Sequence, residues 1–213
     1  MKKIVIFLSA ILFFPLTASA ALINDGSMML SIDSGIPECI VGGTYPNCDF
    51  GVVSVSGGSF FRLDGVQNTV ISQGTGIVLG STQSYDGLGS NITDVWSFFG
   101  KEGTNFSTES ISAISDTEID MTGWRMAWDD TSEIDLGSGL FASISCGSCN
   151  VGDSYTLDYS TFIPVNDSSG LGGLSYELHL EGTIASAVPV PAAVWLFGSG
   201  LIGLFGFSKK CNR

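Results

Sequence analysis

Basic residues are scarce. Of 213 residues only eight are Lys or Arg, and three of these, Arg62, Lys101 and Arg125, lie between positions 21 and 187. All 21 acids fall in that same stretch, so 21 acids against three bases give it a charge of −18, compared with −13 for the whole chain. Nucleic acid is thereby excluded as an expected partner, because binding it runs on Lys and Arg neutralising phosphates. Anionic lipid and anionic polymer are disfavoured for the same reason. Divalent cations and neutral sugars suit such a surface, and solubility alone also accounts for it. Histidine is rarer still, with His179 alone. The chain has no Gly-x-Ser-x-Gly elbow, phosphate loop or EF-hand spacing, so no enzyme class has a residue pattern behind it. Fixed-period repeats and amphipathic helical stretches of useful length are also missing.

The two ends are organised differently from the middle. Lys2 and Lys3, an apolar run over residues 4–16 and the small-residue site Ala18-Ser19-Ala20 form the three parts of a secretory signal, with cleavage expected before Ala21. Such a signal addresses the chain to the Sec machinery and signal peptidase. Residues 188–207, VPVPAAVWLFGSGLIGLFGF, carry no charge and would reach roughly 30 Å as a helix, the thickness of one hydrocarbon core. Lys209, Lys210 and Arg213 follow as a stop that places this end in the cytoplasm. The expected precursor is anchored in the inner membrane with residues 21–187 outside the cytoplasm. Gly200, Gly203 and Gly206 form a small-residue stripe on that helix.

Between the ends, strand signals alternate with turns rich in Gly, Asp, Asn and Ser. SYELHL places Leu174, Tyr176, Leu178 and Leu180 on one face, with Glu177, His179 and Glu181 on the other. In DSYTLDYS, Tyr155, Leu157 and Tyr159 share a face, and in TGWRMAW, Trp124, Met126 and Trp128 do. Residues 28–32, 51–56, 60–63, 76–79, 95–99 and 140–145 are further candidates. Eight to ten short strands predict one all-β domain, an antiparallel β-sandwich of jelly-roll type.

Setting Cys211 aside with the tail leaves four cysteines, an even number that reads as disulfides in an exported chain. Cys39 and Cys48 bracket a loop that Gly42, Gly43 and Pro46 fold back. Cys146 and Cys149 flank Gly-Ser, and a tight turn brings such ends within disulfide reach. A redox centre is the competing reading of that C-x-x-C, disfavoured by strand-like flanks with no following helix. No metal centre is expected from these thiols, whose spacing is not that of a zinc site. Asp129, Asp130, Glu133 and Asp135 in DDTSEID could offer oxygens to calcium as a cofactor, although a solvated acidic turn is the plainer reading. Trp96, Trp124 and Trp128, with Tyr85 and Phe98, raise a sugar-stacking surface; alternation sets Trp124 and Trp128 with Met126 where a core should be, which leaves Trp96 as the candidate for an exposed ring. Glu177, His179 and Glu181 point one way and could form an acid/base or ligand set, or an ordinary solvated face. A pair of carboxylates acting as a hydrolase is the remaining enzymatic alternative.

The tail resembles a known class. Val188, Pro189, Val190, Pro191, Ala192 and Ala193, then Trp-Leu-x-Gly-Ser-Gly-Leu-x-Gly-Leu and the basic end, look like the VPLPA variant of the PEP-CTERM sorting signals over residues 188–210. The resemblance implies recognition and removal by an exosortase, a membrane-embedded cysteine transpeptidase of Gram-negative bacteria that usually make extracellular polysaccharide. Pro189-Val190-Pro191 replaces Pro-Glu-Pro, which implies a variant sorting enzyme. GSFFRLDG, DVWSFFG, MTGWRMAW, GDSYTLDYS and GLSYELHLEGTI resemble a recurring group of VPLPA-type exported proteins that supplies no activity to carry over. The expected protein is a noncatalytic structural or adhesive component of the cell surface or extracellular matrix, with glycan binding, with or without calcium, as the alternative.

Overall fold

The computed structural model describes residues 22–187 apart from 40–42, 45–46, 49–52, 66–67, 86–90, 99, 130–131 and 139–140. The signal segment and the sorting tail, including residues 188–193 and the basic stop, lie outside the described residues. Seventeen strands and no α-helix occur among the described residues. In chain order they are β1 (Met28–Leu30), β2 (Pro37–Cys39), β3 (Gly43–Thr44), β4 (Asn47–Cys48), β5 (Val53–Val55), β6 (Phe60–Leu63), β7 (Asn68–Val70), β8 (Ile77–Val78) and β9 (Trp96–Phe98). Then come β10 (Lys101–Ser107), β11 (Ser112–Ser115), β12 (Glu118–Asp120), β13 (Trp124–Trp128), β14 (Ser132–Asp135), β15 (Phe141–Cys146), β16 (Ser154–Phe162) and β17 (Ser175–Ser186).

Nine strands form one sheet in the order β11-β12-β15-β16-β17-β1-β8, with β6 also on β17 and β7 on β6. Four form a second in the order β14-β13-β10-β9, and β2-β5 and β3-β4 are separate pairs. Every pairing between named strands is antiparallel. The all-β expectation is met, with more and shorter strands than anticipated.

The alternation of β16 and β17 explains their placement. Tyr155, Leu157, Tyr159, Tyr176, Leu178 and Leu180 point inward and are buried, as period-two patterning requires when one face is covered. Trp124, Met126 and Ile134 of the smaller sheet belong to the same apolar cluster. Side chains join the sheets across it: Phe61 meets Trp96 edge-on at 4.7 Å and Phe98 at 5.9 Å, and Trp124 Nε1 donates to Tyr176 Oη at 3.3 Å. Burial pushes the Tyr176 hydroxyl pKa up, so the phenol stays protonated and accepts that bond as a neutral group.

The turn between β15 and β16 is closed by a Cys146–Cys149 disulfide with Cα atoms 5.1 Å apart. Cys149 has φ of 55°, the left-handed conformation that reverses the chain there. Strands carry the backbones of Cys39 and Cys48, in β2 and β4, but their side chains lie outside the described ones.

Candidate functional site

The outer face of the large sheet assembles side chains that the sequence pattern points outward but does not bring together. Register aligns Ser143 with Asp158, Asp158 with His179 and His179 with Phe60, one outward row across β15, β16, β17 and β6. A neighbouring row holds Ser160, Glu177 and Arg62, and another holds Ser145, Thr156 and Glu181. Over these rows lies a groove of about 550 Å³ floored by Arg62, Phe60, Phe141, Ser143, Asp158 and His179. Next to it, a depression of about 520 Å³ is lined by Asp33, Ser145, Thr156 and Glu181.

His179 is clamped. Its Nδ1 is 2.6 Å from Asp158 Oδ1 and its Nε2 is 3.1 Å from Glu181 Oε1, while its ring lies 5.2 Å from that of Phe60. Partial burial opposes the charged form, but the hydrogen bonds and charges of Asp158 and Glu181 outweigh it and hold the imidazole pKa above its ordinary value. In its protonated form the imidazole donates from both ring nitrogens, one to each carboxylate. Glu177 lies on the same strand face yet pairs with Arg62 on β6, through both a hydrogen bond and an ion pair. The trio suggested by spacing thus divides: Glu181 stays with His179, Glu177 leaves, and Asp158 from the adjacent strand takes its place. Asp158 is visible in the sequence only as an outward residue of DSYTLDYS, since register with β17 is a tertiary choice.

A raised histidine pKa has a defined consequence for stability. The clamp contributes fully below the unfolded pKa of about 6.5 and is lost as pH rises through the higher folded value. Thermal melts should show a fall in midpoint over that range, and His179→Gln should flatten it. An unchanged slope in the variant would mean that the clamp does not form.

The other candidates are redistributed. Trp96 is 3% exposed, and its Nε1 donates to Asn105 Oδ1 at 3.0 Å inside the core. It offers no ring to a sugar, because its faces are spent on Phe61 and on the backbone of Gly103, where a Cβ would meet the indole at 2.2 Å. Instead of a solvated acidic turn, residues 132–135 form edge strand β14, with Ile134 buried. Arg125 reaches Asp135 at 2.8 Å and Glu133 at 4.0 Å, and Asp129 pairs with Lys101. Those acids are thus drawn to cationic side chains on neighbouring strands and do not converge on a common point; Asp130 lies outside the described residues. Among the described residues no group of three or more His, Cys, Asp or Glu is arranged to hold a metal ion.

Tyr85 is 38% exposed, and two further exposed aromatics were not legible as candidates in the sequence. Phe141 is 55% and Phe162 67% exposed, on outward positions of β15 and β16 beside the groove. Strand alternation carried the signal: each is the outward residue at the end of a half-buried strand. Compared with protein-family models, curated proteins and solved structures, the chain matches none.

Proposed function

We propose that the chain is a noncatalytic adhesive protein of the cell surface or extracellular matrix. The observation that carries this reading is the outer-face groove, in which Arg62 and His179 are already engaged by carboxylates. A carboxylate stands against each ring nitrogen of His179, and no hydroxyl is bonded to it as a nucleophile. In this reading the face holds a polymer and does not cut one. The two facing sheets support a sandwich of jelly-roll type, in which the last strand, β17, returns to the middle of the sheet beside the first.

The address belongs to the same proposal. Residues 1–20 direct export through the Sec machinery and are removed by signal peptidase. Residues 188–213 hold the precursor in the inner membrane through one helix until an exosortase-type enzyme recognises Val188 to Ala193 and transfers or releases the domain. Cell fractionation tests this. The full chain is expected to lose its tail and accumulate in the surface or matrix fraction, and deletion of residues 188–213 is expected to lower that level several-fold. Equal matrix retention without those residues would sink the sorting claim.

A further inference from the structure

The groove has a more specific chemistry than adhesion alone requires. Phe141 on β15 and Phe60 on β6 stand at its opposite sides, three strand spacings or roughly 14 Å apart. Between them lie the hydroxyls of Ser143 and Ser160 and the carboxylates of Asp158 and Glu177. Aromatic rings with hydroxyls and carboxylates between them match a sugar chain, whose rings have apolar C–H faces and polar edges. Apolar peptide side chains laid there would cover the carboxylates at a desolvation cost.

Charge narrows the ligand further. Across the groove and its neighbouring depression, four carboxylates (Asp33, Asp158, Glu177 and Glu181) face one guanidinium, Arg62, and one imidazole, His179. The ion pairs engage Oε2 of Glu177 and Oδ1 of Asp158, which leaves a second oxygen on each to accept from a ligand. Asp158 keeps 67% of its side chain in solvent, and the whole chain carries −13. Ammonium groups complement this surplus, and acidic sugars are repelled by it.

We infer that the groove binds a hexosamine polymer carrying free amino groups. The rings of Phe60 and Phe141 pack against sugar faces, the second oxygens of Asp158 and Glu177 accept from ammonium and hydroxyl donors, and Asp33 and Glu181 in the adjoining depression add negative charge. This rests on the adhesive reading and adds its ligand class.

Calorimetric titration of the full chain in detergent with a chitosan oligomer, its fully N-acetylated counterpart and an alginate oligomer tests the assignment. The chitosan oligomer is expected to bind, the acetylated one to bind about tenfold more weakly through loss of charge-assisted hydrogen bonds, and alginate not at all. Phe141→Ala leaves the charge unchanged and truncates an exposed ring, so its melt should match the parent while chitosan affinity falls about tenfold. Asp25→Asn removes a charge at a turn away from the groove and should leave affinity unchanged. Generic attraction to a polycation would reverse those two results and overturn the inference. Equal affinity for the acetylated oligomer, or preference for alginate, would also overturn it. If no glycan binds while the chain is still retained in the matrix, the ligand class falls and the adhesive reading survives. Loss of retention itself would instead remove the adhesive reading.

Discussion

Trp124→Ala is expected to destabilise the domain by roughly 3–5 kcal/mol, the cost of truncating a large buried aromatic. Trp124 is fully buried at the meeting of the two sheets, and its indole N–H donates to Tyr176, itself fully buried and packed against Phe61 at 5.7 Å. Alanine leaves a cavity and deprives the Tyr176 hydroxyl of this partner, so transfer, cavity and hydrogen-bond losses add. Trp124→Phe separates these terms: it keeps a ring and loses the N–H, and should cost clearly less. Urea unfolding of both variants measures the difference. A loss below about 1 kcal/mol for Trp124→Ala would contradict the packing of one sheet on the other. Because a domain holds only about 5–15 kcal/mol in reserve, the alanine variant should also show reduced accumulation in cells.

Gly182→Ala is the second large effect, and its origin is backbone crowding instead of a cavity. A Cβ at this inward position of β17 would stand 1.8 Å from the carbonyl oxygen of Ser31 and 3.0 Å from Cε1 of Tyr155. The Ser31 segment cannot simply withdraw. Its N–H and Oγ both donate to the Thr183 carbonyl, at 3.0 and 2.7 Å, and the Tyr155 hydroxyl donates to the Ser31 carbonyl at 2.8 Å. Relieving the clash therefore disturbs the seam between the first strand and the last. Overpacking of this kind costs about 1–3 kcal/mol, and more where backbone must move. Gly147→Ala is the matching control, because a Cβ there meets nothing within 4 Å. Thermal denaturation should place Gly182→Ala well below the parent and Gly147→Ala beside it; similar midpoints for the two would refute the close approach.

Strands with a covered face and a wet face were readable because burial imposes a period of two. Residues 60–63 coincide with β6, while the segments around Tyr155 to Tyr159 and Leu174 to Leu180 became the long strands β16 and β17. β10 was invisible for the opposite reason. From Gly103 to Ser107 every residue is buried, yet Thr104, Asn105 and Ser107 are polar, so no apolar alternation announces the strand. Those groups are accommodated by hydrogen bonds that only the fold supplies: the Asn105 N–H donates to Thr93 Oγ1 at 2.9 Å, and Asn105 Oδ1 accepts from Trp96. The acidic run DDTSEID misled similarly, since charge density read as a turn while Ile134 was the core residue of an edge strand.

An all-β, strongly acidic domain, the inward and outward sides of its longest strands and a turn disulfide at Cys146 and Cys149 were legible from residue order alone. These follow from local alternation, composition and a four-residue spacing, each a property of neighbouring residues. Folding was needed to bring Asp158 and not Glu177 beside Glu181 at His179, to set Trp96 in the core, and to place Phe60 and Phe141 on one groove. Those outcomes depend on strand order and register between segments far apart in the chain, and a shift of a single residue would turn every one of those side chains to the opposite face.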